Sequence, residues 1–328
     1  MNGKDVSPST FLQLGSELKR KKISTTDVNH RRFKSWYGID WKLMSGVWKL
    51  LWSIGWMKQL KYRKPNPTHL LWALSFLKAY HKEDEHAADV GKEAKTFRKW
   101  AWFYVKGIAA LVPRVVSECF LYLLIFIYSH TCYLSNFVQI QLNRRFIGDG
   151  GELCLLTVDG TDFRIQEPWP FEEEYNRKWC SHKFKAAGVR YELGISLRTG
   201  DICWFNGPYP AGMSDITIFR RGLKHKLGVR EKVVADFGYR GDKNKVCLPD
   251  DKVVGHDNRV AMCKGRGRHE AINGKLKRWG CLRQIFRHSR LKHHFVFKAC
   301  LTLTQLLIDH GERAFGIGKY DAMGYFDE

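Results

Sequence analysis

Leu155-Leu156-Thr157-Val158-Asp159-Gly160-Thr161-Asp162 sets the reading of the chain. A short apolar run that ends in an aspartate is the pattern of a buried strand presenting a carboxylate at its end. The pattern returns at Val233-Val234-Ala235-Asp236, followed by Phe237-Gly238-Tyr239. A third acid, Glu270, stands in a basic, helix-like stretch, Arg266-Gly267-Arg268-His269-Glu270-Ala271-Ile272-Asn273-Gly274-Lys275-Leu276-Lys277. Two aspartates at strand ends and a glutamate on a later helix can converge on one point. Hard oxygens gathered in this way suit Mg²⁺ or Mn²⁺.

Each acid also has a plain reading. Asp159-Gly160 is a common turn, Asp236 a surface strand end, and Glu270 a partner for Arg266 or Lys277 on its own helix. Asp215, at the start of a helix, reads first as an N-cap. It is kept as an ancillary acid, since Asp236 directly follows a strand and fits a metal site better. Asp162 and Asp242 read as turn residues.

The surrounding pattern is α/β. A strand near 153–158 continues beyond a turn at Phe163–Ile165. Tyr191–Leu197 and Ile202–Phe205 form a hairpin about Thr199-Gly200-Asp201. Gly207–Met213 is a Pro/Gly loop, and Ser214 or Asp215 caps a helix running from Ile216 to about Leu227. Lys232–Ala235 is a strand, with short strands at Val246–Leu248 and Val253–Val254. Helices follow at 267–279 and 294–309.

Before this lies helical sequence. Lys19-Arg20-Lys21-Lys22 and Arg31-Arg32-Phe33-Lys34 read as a nuclear import signal, a phosphate-binding arm or a solvated loop. Trp36, Trp41, Trp48, Trp52 and Trp56 recur at helical spacing and read as core. Pro65-Asn66-Pro67 breaks the chain, and Thr68 caps a helix carrying Leu70, Leu71, Leu74 and Leu77. A short acidic segment, a turn at Gly91 and a basic helix with Lys95, Arg98 and Lys99 follow. That layout is a helix-turn-helix, with an ordinary helical hairpin as the alternative. From Cys119 to Leu142 there is no Asp, Glu, Lys or Arg. The stretch reads as a buried helix; a membrane span and a translated intron are the other readings. The expected domains are 1–64, 65–116, a connecting segment 117–145, a catalytic domain 146–318 and a tail 319–328.

With 55 Lys and Arg against 33 Asp and Glu, the chain of 328 residues carries a net charge of +22, which predicts nucleic acid as partner. The nine cysteines form no C-x-x-C pair, which argues against a zinc ribbon and a secreted disulfide scaffold. The polar N-terminus lacks a secretory core, so an intracellular address is expected.

The order strand, hairpin, helix, strand, helix, with acids at two strand ends and on the later helix, resembles the ribonuclease-H-like core of DDE transposases. Val158-Asp159-Gly160-Thr161-Asp162-Phe163, Pro210-Ala211-Gly212-Met213-Ser214-Asp215 and Ala235-Asp236-Phe237-Gly238-Tyr239 resemble three motifs of the Harbinger-type (PIF) members. Arg266, Glu270 and Lys277 show the spacing found around the glutamate in related insertion-sequence transposases, with Cys263 where that pattern has a tyrosine. The resemblance implies a ribonuclease-H-like mixed sheet flanked by helices, preceded by an all-α helix-turn-helix region. It implies Asp159, Asp236 and Glu270 as catalytic residues holding two Mg²⁺ or Mn²⁺ ions. It implies double-stranded DNA as substrate, cleaved at transposon ends and then joined, with an accessory DNA-binding protein; a homo-oligomer is a further candidate partner. Lys95, Arg98, Lys99, Arg266, Arg268, Lys275 and Lys277 are the expected DNA contacts, and in a eukaryote the nucleus the expected location. No membrane partner is expected. The alternative function is a transposase-derived DNA-binding protein that no longer cuts.

Overall fold

The computed structural model describes residues 5–21, 27–60, 64–116, 146–147, 153–167, 177–196, 200–228, 231–249, 267–312 and 314–315. The apolar segment 117–142, the strand expected at Val253–Val254, and Arg266 lie outside these residues. Among the described residues no helix is long and apolar enough to cross a membrane. The chain divides into two compact units, 1–115 with 276–311, and 116–275 with 312–328.

The first unit is helical. It contains α1 (Pro8–Leu18), α2 (Asp27–Tyr37), α3 (Trp41–Ser53), α4 (Pro67–Ala79), α5 (Glu83–Asp89), α6 (Ala94–Ala109) and the single turn α7 (Val112–Val115). Trp48 is fully buried between Phe11, 6.2 Å away edge-on, and Tyr104, stacked at 6.1 Å. Trp41 is buried too, whereas Trp36, Trp52 and Trp56 are only partly covered. Arg31 and Arg32 lie exposed on α2 while Phe33 between them and Lys34 is buried, so this basic cluster is the solvated side of an amphipathic helix. The cap of α4 is Asn66 rather than Thr68: its Oδ1 accepts a hydrogen bond from the Thr68 N–H at 2.9 Å, with Pro67 at the first helical position. Gly91 provides the expected turn, with φ of +63°.

The second unit is built on a mixed sheet. Its strands are β1 (Phe146–Ile147), β2 (Leu153–Arg164), β3 (Cys180–Ser181), β4 (Ala186–Ser196), β5 (Ile202–Pro210), β6 (Glu231–Val234) and β7 (Val246–Cys247). The order is β3-β4-β2-β6-β7, with β1 also on β2 and β5 also on β4. β2, β4 and β5 are antiparallel, while β6 runs parallel to β2 and β7 parallel to β6. Helices α8 (Asp215–Arg221) and α9 (267–276) belong to this unit. Val158, Phe219, Leu223, Val233, Ala235 and Tyr239 form a core between sheet and α8.

Several expectations are corrected. β2 does not turn at Asp159-Gly160 but runs unbroken to Arg164, held by a continuous register against β4. Asp162 is therefore a strand residue, not a turn residue. β5 continues through Gly207 and Pro208 to Pro210, where a loop was expected, because shifts in its register with β4 absorb the irregular backbone. The helix after it is shorter than expected, α8 ending at Arg221 before a 3₁₀ turn at Leu223–Lys226.

The final helices, α10 (Gly280–Arg283) and α11 (Arg290–Asp309), group with the helical unit, so the division differs over 276–311 from a single domain at 146–318. The cause is visible in polar contacts. Gln284 Nε2 donates to the Ala79 carbonyl at 2.8 Å, and the Arg287 N–H to the Tyr80 hydroxyl at 2.9 Å.

Candidate active site

Two acids meet because two strands run parallel in register. Thr157 pairs with Val234 across β2 and β6, and Asp159 and Asp236 each lie two residues further along. The carboxylates are thereby delivered at the same level of the sheet. Asp236 also caps the 3₁₀ turn Phe237–Tyr239, its Oδ1 accepting from the Gly238 N–H at 2.9 Å.

A third acid, Asp215, stands beside Asp236 and within electrostatic reach of Asp159. A side chain on Gly238 would place its Cβ 2.9 Å from Asp215 Oδ2 and 3.0 Å from Asp236 Oδ1, so both carboxylates border one point. A Cβ on Gly160 would overlap Asp215 Oδ1. This explains glycine within a strand, where it otherwise weakens the ladder. Asp215 is the first residue of α8, with Ser214 as the N-cap. Burial pushes its carboxyl up to about 6; Asp159 and Asp236 add to the rise, while Arg190 and Lys183 oppose it. A desolvated acid whose affinity for protons is raised further by two neighbouring carboxylates belongs to a donor set short of positive charge. Oxygen donors of that kind fit a hard divalent cation.

Arg190 partly supplies the missing charge. It lies opposite Asp162 in the β2–β4 register, and both side chains are almost wholly buried. Its Nε donates to Asp162 Oδ1 at 2.6 Å and its Nη2 to Asp162 Oδ2 at 3.0 Å, a bidentate pair. The remaining Nη1 donates to the Met213 carbonyl at 2.8 Å and to Asp215 Oδ1 at 3.2 Å. Lys183 donates from Nζ to the Gly160 carbonyl at 2.9 Å. Sequence reading missed both cations. Arg190 lies just before the expected strand Tyr191–Leu197, and its pairing with Asp162 depends on a cross-strand register the sequence does not state.

Glu192, opposite Gly160 on β4, is 1% exposed. Its Oε1 accepts from Trp204 Nε1 at 2.9 Å, and Oε2 has no partner among the described residues. Burial pushes its carboxyl up to about 8 against the Trp204 hydrogen bond, with Asp215 adding to the rise. The folded chain therefore keeps this proton between an ordinary value of 4.5 and about 8, where the unfolded chain releases it. Below 4.5 both states are protonated and nothing is lost. Stability then falls as pH rises through that window and levels off above it. Glu192→Gln retains the acceptor for Trp204 and cannot ionise. It should exceed the parent in stability at pH 7 by on the order of 3 kcal/mol and match it near pH 4.5. Urea unfolding at the two pH values checks this; an equal difference at both would contradict it.

The Glu270 side chain is exposed on α9. Its neighbour His269 ties that helix to the acids. His269 is buried beside the Thr157 backbone and within electrostatic reach of Asp236, and burial lowers its imidazole to about 4. On β2, Asp159 alternates in facing with Gly160, which abuts Asp215.

The expected DNA contacts divide. Lys95 and Lys99 are exposed on α6, with the Lys99 ammonium 5.5 Å from the Trp100 ring centre. Arg98 is exposed but ion-paired with Glu83. Lys277 is exposed and Lys275 half-buried. Arg268 is not a surface cation: it is buried, with its guanidinium 4.9 Å from the Phe315 ring centre.

Residues 158–305 match the family model of the DDE superfamily endonucleases. The matched segment holds Asp159, Asp215, Asp236 and Glu270. No curated protein and no solved structure matches the chain.

Proposed function

We propose that this chain is a DNA endonuclease of the transposase type that cuts and joins phosphodiester bonds with two divalent metal ions. The observation that carries the reading is the meeting of Asp159 and Asp236 at one level of β2 and β6, inside the segment that matches the DDE superfamily. The antiparallel β2–β4–β5 followed by parallel β6 supports a ribonuclease-H-like core of the Harbinger type. The α4–α5–α6 arrangement, with Lys95 and Lys99 exposed, supports a helix-turn-helix that tracks a DNA backbone.

Asp159, Asp236 and Glu270 would hold Mg²⁺ or Mn²⁺, with Asp215 completing the negative field. Ions so bound would activate the attacking oxygen and stabilise the leaving one. Arg190 fixes the direction of Asp215 and pairs Asp162 inside the sheet. Lys183 holds a cationic group beside Gly160, where a phosphate oxygen entering the site can be met. Glu192 and Tyr239 are both buried and within electrostatic reach of Asp215. Hydrolysis at a transposon end and attack by a DNA 3′-hydroxyl require the same groups.

The test is conversion of supercoiled plasmid to nicked circles by purified folded protein with Mn²⁺. Cleavage that requires the metal supports the nuclease. Salt-sensitive DNA binding with no metal-dependent cleavage would instead support a transposase-derived DNA-binding protein.

A further inference from the structure

A second group of metal-ligating side chains occurs in the helical unit, away from any role assigned above. His81, in the connection between α4 and α5, and His86 and Asp89 on α5 each bring one donor atom within 4.8 Å of the others. His86 and Asp89 are three residues apart and share a helix face. His86 is 3% exposed, and its Nε2 is buried without a hydrogen-bond partner. A buried imidazole nitrogen without a partner costs free energy that a ligand would recover.

The His86 ring is fixed in place. It stacks on Phe97 at 5.3 Å and 7°, and on His81 at 5.3 Å and 23°. His86 and Asp89 also line one small cavity together with Lys19, Tyr37 and Trp72.

We infer that His81, His86 and Asp89 form a binding site for one borderline transition-metal ion, of which Zn²⁺ is the best fit. Two imidazole nitrogens and one carboxylate oxygen make a three-ligand zinc set, leaving a fourth position for water. Nitrogen donors set it apart in kind from the all-oxygen cluster, which favours Mg²⁺ or Mn²⁺. His81 and Asp89 are exposed, so rotation of their side chains can draw the donors in from 4.8 Å to a common ion. Lys19 and Arg287 add positive charge near His86 and oppose binding, with Asp89 as the counterweight. A bound ion would clamp the connection after α4 onto α5.

The test uses the full chain, stripped with chelator and held in excess Mg²⁺ so that oxygen-rich sites are occupied, and titrated with Co²⁺. The expected result is one Co²⁺ per chain with the intense visible bands of tetrahedral coordination, displaced by one equivalent of Zn²⁺. His81→Ala and Asp89→Asn alter exposed side chains and leave the fold intact. Each should weaken Co²⁺ binding by about tenfold or more, at least the loss that disturbing a ligand's hydrogen-bond partner produces. His86→Gln should abolish binding, with circular dichroism confirming the fold. No tetrahedral Co²⁺ in the parent chain, or binding unchanged in both surface variants, would overturn the inference.

Discussion

Arg190→Met is expected to destabilise the sheet unit by about 3–5 kcal/mol, the range for removing one partner of a buried ion pair. Arg190 and Asp162 are both almost fully buried and bidentate, and the same guanidinium reaches Asp215. The methionine would keep most of the stem and its packing. It would leave Asp162 charged within the sheet, with the Ser181 hydroxyl as its remaining neutral donor. The loss therefore comes mainly from stranding the carboxylate, not from losing an attraction. Adding Asp162→Asn to Arg190→Met should restore more than half of the loss, since the stranded charge is then gone. Arg190→Lys should recover less than its charge suggests, because an ammonium cannot meet both carboxylate oxygens and Asp215 together. Chemical unfolding of the four proteins measures the cycle. A loss under about 1 kcal/mol for Arg190→Met, or strict additivity in the double variant, would show that the pair does not act as described.

Asp159→Asn and Asp236→Asn should each reduce metal-dependent plasmid nicking by about 10³-fold or more. That is the scale of loss when a preorganised group that stabilises transition-state charge is removed. Asparagine has the shape of aspartate, so the fold should survive, but its amide cannot balance the charge of a cation. Asp236→Asn retains the oxygen that accepts from the Gly238 N–H, so the turn after β6 is preserved. Glu270→Gln and Asp215→Asn decide the third ligand. If Glu270 from α9 completes the site, Glu270→Gln is as severe as the aspartate changes, and Asp215→Asn is milder and shifts the lower limb of the pH profile. Equal nicking by parent and Asp159→Asn would remove the proposed chemistry.

The two aspartates were legible because a strand buried on both faces reads as a short apolar run and stops where its first carboxylate appears. Asp215 and Asp162 were legible as acids but not in their roles. Asp-Gly-Thr-Asp is turn chemistry by local rules, and only the β4 register holds it extended. An aspartate beside Ser214 at a helix start reads as a cap, and only the closeness of Gly160 and Gly238 reveals which way it points. Arg190 was invisible for a related reason: a buried cation inside a strand is explained by a partner 28 residues away. The same limit applies to α11, whose apolar residues are plain in the sequence. Its grouping with the helical unit depends on contacts such as the Lys292 ammonium 4.7 Å from the Trp102 ring centre on α6.

The central claim is that Asp159 and Asp236 share one divalent-metal centre. The most direct test is a crystal soaked in Mn²⁺ and measured near the manganese absorption edge. The account predicts an anomalous peak bonded to carboxylate oxygens of both aspartates, and its loss in Asp236→Asn. Manganese bound elsewhere in the chain, with these two carboxylates left without it at saturating concentration, would contradict the account.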